Sequence, residues 1–141
     1  MTKIDMIDVS AKPLQKRRAE AQGTIYLAAS TIAAIKNKTL IKGDVLAVAK
    51  VAGIQAAKET ARFLPLCHPL TLEYVGINIE LQDTSISVQS TVSSIGRTGV
   101  EMEALTAVSG ALLTIYDMCK AVDKKMKIGD IFLVKKEKAN V

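Results

Sequence analysis

The sequence predicts an α+β fold in which four antiparallel strands form one sheet and helices pack on one of its faces. Stretches of alternating apolar and polar residues indicate strands, and two long, mostly apolar stretches indicate helices. Their order is strand, helix, strand, strand, helix, strand, which is a split βαβ arrangement. A chain of 141 residues is the size of one domain. We therefore expect a single domain over residues 1–141.

The first half of the chain supplies one strand and two helical segments. Residues 21–27 favour extended backbone because they include β-branched and aromatic side chains, and residues 28–36 are expected to form a short helix. Asp44 is a natural N-cap, so a second helix is predicted from there to Phe63. The many alanines of this helix would allow another element to approach closely.

The second half supplies a hairpin, a long helix and a last strand. Residues 75–82 alternate between apolar and polar, and a turn leads into a second strand over residues 86–92. The segment Gly96-Arg97-Thr98-Gly99 ends this hairpin, and a helix is predicted from about residue 100 to 122. A strand over residues 131–135 completes the order of the ferredoxin-like sandwich.

Charge and cysteine content restrict the function classes. The net charge is +5, and many of the lysines and arginines lie near the two ends. A polyanionic partner fits this charge, whether nucleic acid or a small phosphorylated substrate.

The polar residues 1–18 are expected to form a mobile arm, and residues 136–141 a disordered tail. The two cysteines form no CxxC pair, so the sequence indicates neither a disulfide framework nor a zinc site.

The expected location is the cytoplasm. The chain opens with no signal peptide, and its most apolar stretch is interrupted by Lys50 and Gln55, so no membrane-spanning segment is predicted.

Two short segments contain residues that could form a binding site. His68 is the only histidine and lies between Pro65 and Pro69, which restrict the backbone on either side. It could bind a ligand, or it could cap a helix or fill a polar gap. Glu101 and Glu103 begin the long helix, where they could contact a ligand or only complement the helix dipole.

Asp117 and Lys120 form a third candidate group. They are three residues apart on one helix, among apolar neighbours, so they could form a buried ion pair or a proton shuttle. Fourteen residues separate Asp117 from Glu103, which corresponds to roughly 21 Å along a helix. One small site within one chain cannot contain both. Together with the surplus apolar surface of the helices, this spacing predicts a homo-oligomer.

Six blocks of sequence, in order along nearly the whole chain, resemble a known family. They are DVSAK at 8–12, KGDV at 42–45, AGIQAAK at 52–58, PLCHPL at 65–70, TGVEMEALTA at 98–107 and LTIYDMCKA at 113–121. With these blocks the chain resembles the MoaC family of cyclic pyranopterin monophosphate synthases.

The resemblance implies a ferredoxin-like protomer in a hexamer built as a trimer of dimers, with active sites at the dimer interfaces. It implies a lyase that converts 3′,8-cyclo-7,8-dihydro-GTP, the product of a separate radical GTP cyclase, into cyclic pyranopterin monophosphate and pyrophosphate. No metal or organic cofactor is implied.

The resemblance also assigns roles to residues of this chain. It implies that Asp117 is catalytic and that Lys120 and Lys42 act beside it. The positions it implies for substrate contact are Leu66, Cys67, His68, Glu101, Met102 and Glu103, with Lys12 and Arg17 contributing from the N-terminal arm. The alternative from another functional class is a non-catalytic oligomeric module that binds nucleotides or RNA.

Overall fold

The computed structural model describes residues 2–141 and confirms the predicted α+β fold. Strands and helices follow the ferredoxin-like order, with two short helices added to it. The elements are β1 (Gln15–Tyr26), α1 (Ala29–Lys36), α2 (Val45–Lys58), α3 (Thr60–Phe63), β2 (Leu72–Leu81), β3 (Ser85–Gly96), α4 (Glu101–Cys119) and β4 (Lys127–Asn140). None of the helices in this described part of the chain is long and apolar enough to cross a membrane.

The four strands form one sheet in the order β2-β3-β1-β4, and all neighbouring strands are antiparallel. Alternate residues of the central strands, such as Ala21 and Ile25 of β1 and Val88 and Val92 of β3, are buried against the helices. This period of two is the one expected for a sheet that is covered on one face. The core therefore lies between this face and helices α2 and α4.

The first and last strands of the chain, β1 and β4, are longer than the sequence predicts. β1 begins at Gln15, and β4 extends from Lys127 to Asn140, so residues 15–18 of the expected arm and 136–140 of the expected tail are paired strand residues. Arg18 of β1 lies opposite Glu137 of β4. Backbone pairing and such cross-strand pairs of opposite charge support strand ends that have few apolar residues. An apolar pattern therefore underestimates the length of these strands.

The predicted second helix begins as expected but ends early. The Asp44 carboxylate accepts a hydrogen bond from the Ala47 N–H at 3.2 Å, which confirms the N-cap. Instead of continuing to Phe63, α2 ends at Lys58, and the separate turn α3 follows from Thr60. The Thr60 hydroxyl donates to the Ala57 carbonyl at 2.9 Å, a side-chain bond that competes with regular helix geometry. The long helix α4 likewise ends at Cys119 rather than near residue 122.

Small residues set the position of α4 on the sheet and against α2. A Cβ atom added at Gly23 of β1 would lie 2.7 Å from Val108 Cγ1 of α4. One added at Gly110 of α4 would lie 2.6 Å from Ala56 Cβ of α2. Both distances are shorter than van der Waals contact, so α4 packs against β1 and α2 more closely than larger residues would allow. These contacts fix the middle of α4 against both elements.

A buried carboxylate connects the end of α4 to the start of α1. Asp123 accepts hydrogen bonds from the Ala28 N–H at 2.9 Å, the Thr31 hydroxyl at 2.8 Å and the Lys125 N–H at 3.2 Å. The first of these bonds is the largest cause of the lowered pKa of Asp123. The carboxylate therefore caps a helix that has no capping side chain of its own.

Asp123→Ala is expected to lower the free energy of unfolding at pH 7 by about 1 to 3 kcal/mol, because the change leaves buried donors unpaired. Since folding lowers the pKa of Asp123, its contribution is complete above the unfolded-state pKa of about 3.9. It is lost as the pH falls through the lower folded-state value. Urea unfolding between pH 7 and pH 2 measures both effects. The exposed Asp83→Ala is the control, and an equal loss in both variants would contradict this role.

Candidate functional site

One cavity collects most of the predicted substrate contacts. Its volume is about 460 Å³, and it lies where the loop after α3 meets the start of α4. The lining includes all six predicted contact residues of these two segments and Lys12 of the N-terminal arm: Leu66, Cys67, His68, Glu101, Met102, Glu103 and Lys12. The fold thus brings together residues that are more than 30 positions apart in the sequence.

His68 is directed towards the N-terminal segment. Its Nε2 atom lies 2.7 Å from the backbone oxygen of Ile7. One wall of the cavity is formed by residues of this segment, Asp5, Ile7 and Val9. The imidazole therefore caps no helix, which was one of the two interpretations that the sequence left open. A hydrogen-bonding group of a ligand can take the place of this backbone oxygen.

Glu103 is buried beside the thiol of Cys67. Only 4% of Glu103 is exposed, and burial, with a smaller contribution from the neighbouring Glu101 charge, raises its pKa. Burial and the Glu103 charge likewise raise the pKa of Cys67. Burial thus shifts both groups towards their protonated forms, and the thiol is not activated as a nucleophile. Glu103 thus lies where a ligand in the cavity would contact it, which is one of the two interpretations that the sequence left open.

A second, basic cavity adjoins the first. Its volume is about 370 Å³ and it shares Lys12, Gly99 and Glu101 with the first cavity. The rest of its lining is Arg17, Lys136, Glu137 and Lys138. Cations around a cavity of this size suit a phosphate chain. Lys136 and Lys138 are not predicted as site residues because they lie in the expected tail. Lysines at alternate positions are nevertheless a signal that they share one face of a strand.

Arg17 is fixed by the turn between β3 and α4. Its Nε and Nη2 atoms donate to the carbonyls of Gly96 and Arg97 at 3.4 and 3.3 Å. Arg97 in turn donates from Nε to the Lys12 carbonyl at 3.1 Å. These bonds hold the arm, the turn and the start of β1 together at the edge of the basic cavity.

The remaining candidates form a separate group at the other end of α4. Asp117 lies between two lysines, with Oδ2 at 3.0 Å from Lys42 Nζ and Oδ1 at 3.1 Å from Lys120 Nζ. The hydrogen bond from Lys42, followed by that from Lys120, lowers the pKa of Asp117. The three side chains are 47–58% exposed, so the expected buried pair is wrong for the single chain. The apolar neighbours of Asp117 in sequence, such as Ile115 and Met118, face the core instead.

The two groups lie far apart within one chain. Glu103 and Asp117 belong to one helix, Glu101–Cys119, so the predicted spacing of roughly 21 Å along its axis applies. Within residues 2–141, no group of three or more His, Cys, Asp or Glu side chains is arranged to hold a metal ion. The chain thus presents a pair of adjoining cavities at one end of α4 and a lysine–aspartate–lysine group at the other.

Comparison with known proteins places this arrangement in a family. The sequence profile of the MoaC family matches residues 6–139. The cyclic pyranopterin monophosphate synthase of Thermoanaerobacter pseudethanolicus is 51% identical over 133 residues, which are 93% of this chain and 84% of that protein. Cyclic pyranopterin monophosphate synthase 3 of Mycobacterium tuberculosis is 52% identical over 132 residues, or 93% and 75%. A molybdenum cofactor biosynthesis bifunctional protein of Chlorobaculum tepidum is 55% identical over 130 residues, or 92% and 42%. The chain belongs to the MoaC family.

Proposed function

We propose that this protein is a cyclic pyranopterin monophosphate synthase of molybdenum cofactor biosynthesis. It acts as a lyase that rearranges 3′,8-cyclo-7,8-dihydro-GTP and releases pyrophosphate. The observation that carries this proposal is the pair of adjoining cavities, because a nucleotide-derived substrate has a ring system and a phosphate chain that need different surroundings. The names of the relatives, at about half identity over most of the chain, support the same reaction.

The ring system is assigned to the cavity beside His68. Leu66 and Met102 supply apolar surface, while His68 and Glu103 supply hydrogen-bonding groups that can orient a heterocycle. The phosphates are assigned to the basic cavity, where Lys12 and Arg17 offset their charge. Charge builds up on pyrophosphate as it leaves, so cations held in place lower the barrier to its release.

Proton transfer is assigned to the group at the other end of α4. Lys120 carries the proton, and Asp117 sets its position and charge, with Lys42 as the second cation beside the carboxylate. Since this group is remote from the cavities in one chain, a second copy must supply it. Val51 of α2 and Leu113 of α4 are 67% and 62% exposed, and such uncovered apolar side chains support association. We assign the protein a hexamer of three dimers, with sites between subunits.

The remaining assignments follow from this reaction. The substrate comes from a radical GTP cyclase of the same pathway, and the site of action is the cytoplasm, where GTP is available. The reaction as proposed rearranges the ring system and releases pyrophosphate without a net redox step, so it requires no redox cofactor.

The alternative of an RNA-binding module is less well supported by the uncovered face of the sheet. RNA-binding sheets of this strand order stack bases on aromatic side chains of the central strands. Here the side chains on the uncovered face include Gln22 and Thr24 of β1 and Gln89 and Thr91 of β3. Gln89 donates to Gln22 across the strands. The exposed aromatic side chains of this face, Tyr26, Tyr74 and Phe132, lie at the end of β1 and on the edge strands β2 and β4, so the centre of the face offers no platform for stacking.

Turnover separates an enzyme from a non-catalytic nucleotide-binding module. When the protein is incubated with the cyclised dihydro-GTP, we expect pyrophosphate and cyclic pyranopterin monophosphate to appear in equal amounts. Chromatography and an enzyme-coupled pyrophosphate assay measure the two products. The Asp117→Asn variant is the control for contaminating activity. Binding of the substrate without release of pyrophosphate would favour the binding module.

A further inference from the structure

Gly99 lies at the junction of the two cavities, two residues before the start of α4. A Cβ atom added at Gly99 would lie 1.7 Å from Oε1 of Glu101, 2.8 Å from its Cδ and 3.1 Å from its Oε2. The Glu101 carboxylate therefore occupies the space that any other side chain at position 99 would fill.

The backbone does not explain this glycine. Among the glycines of residues 2–141, the positive-φ conformation that favours glycine occurs at Gly43 and not at Gly99. The three atoms nearest to a Cβ at Gly99 belong to the flexible end of one glutamate side chain, which can turn away at little cost to stability. The requirement for glycine thus concerns where the Glu101 carboxylate lies.

We propose that Gly99 is a positioning residue: its lack of a side chain allows the Glu101 carboxylate to fold back over the turn and separate the ring cavity from the phosphate cavity. This inference rests on the proposed function only in assigning these roles to the two cavities.

The charges around Glu101 indicate what its carboxylate does at the junction of the two cavities. On one side Oε2 lies 3.9 Å from Lys136 Nζ, which belongs to the basic cavity. On the other side the Glu101 charge acts on Glu103 in the ring cavity. A negative charge at the junction repels phosphate oxygens from the ring cavity and leaves the basic cavity as their place. Glu101 thereby fixes the direction in which a phosphorylated ring enters.

The first test is a double-mutant cycle on turnover. Gly99→Ala is expected to lower kcat/KM by about 10- to 100-fold because it displaces a group that orients the substrate. Glu101→Ala should give a similar loss, and the double variant should lose no more than about twofold beyond Glu101→Ala, since both changes remove one function. Gly129→Ala is the matched control, because a Cβ there meets nothing within 4 Å.

The second test uses the free protein and does not depend on turnover. Titration of Glu103, followed by NMR of its ¹³C-labelled carboxyl group, should show a lower pKa in Gly99→Ala and in Glu101→Gln, because both weaken the nearby negative charge. The variants leave in place the other titratable or charged groups: Asp5, Lys12, Cys67 and His68 around this cavity, and Lys136 beside Glu101 in the basic cavity.

Several outcomes would overturn the role of Gly99. They are a wild-type kcat/KM in Gly99→Ala, an undiminished effect of Gly99→Ala in the Glu101→Ala background, an unchanged Glu103 titration, or unfolding of Gly99→Ala, which would show that the backbone itself needs glycine. If the wild-type protein shows no turnover, the proposed function fails, and the Glu103 titration still decides the role of Gly99.

Discussion

Lys120→Ala is expected to lower kcat by about 10³-fold or more while leaving the fold intact. The ammonium group lies 3.1 Å from Asp117, and this carboxylate also binds Lys42, so the three groups hold one another in place. General acid–base catalysis by one positioned group contributes about 10²- to 10⁴-fold to a rate. Lys120 is 58% exposed in the single chain, so its removal should change the free energy of unfolding by no more than about 0.5 kcal/mol.

Two further variants separate proton transfer from charge. Lys120→Arg keeps the positive charge, but a guanidinium does not release its proton near neutral pH, so this variant should be as inactive as Lys120→Ala. Lys125→Ala removes a nearby exposed lysine and should keep wild-type kinetics. Turnover near the wild-type rate in Lys120→Ala would leave the lysine a structural role. Full activity in Lys120→Arg would show that charge alone is required.

The sequence predicts the fold well where apolar periodicity determines structure. The alternation over residues 75–82 and 86–92 predicts β2 and β3, and Asp44 predicts the start of α2. The polar ends of β1 and β4 escape prediction because they pair with distant segments: with each other across more than 100 positions of sequence, and in the case of β1 also with β3. Local patterns contain no information about such a partner.

The sequence identifies the candidate residues of the site, but it does not show how exposed each of them is. The segments around His68 and Glu103 do meet, as the family resemblance implies. A buried ion pair at Asp117 is wrong for the single chain because nearby apolar residues in sequence lie on the core face of α4, while Asp117 lies on the exposed face. Helical periodicity distinguishes the faces of a helix, but it does not show which exposed face a second copy covers.

Two inactive variants are expected to restore activity when their subunits are mixed. We predict that His68 and the Glu101–Glu103 turn of one subunit form a site with Asp117 and Lys120 of its neighbour. The reason is geometric, because α4 places these groups roughly 21 Å apart along its axis in one chain. A His68→Ala subunit keeps an intact Asp117 group, and an Asp117→Asn subunit keeps intact cavities. Each variant therefore supplies the half that the other lacks.

Equal amounts of the two variants, exchanged to completion, should recover about a quarter of wild-type turnover. A site is intact only when its His68 half comes from an Asp117→Asn subunit and its Asp117 half comes from a His68→Ala subunit. Each of these events has a probability of about one half, and the two are independent. Mass spectrometry of differently labelled subunits verifies the exchange.

A mixture of His68→Ala with Glu103→Gln is the matched control: both changes lie in the same half, so every site in that mixture keeps a defect and no activity should return. Recovery in the control would mean that the change at Glu103 or at His68 is not inactivating by itself. Absence of recovery in the His68 and Asp117 mixture, after complete exchange, would show that one chain supplies the whole site and that α4 does not separate its two halves in the active enzyme.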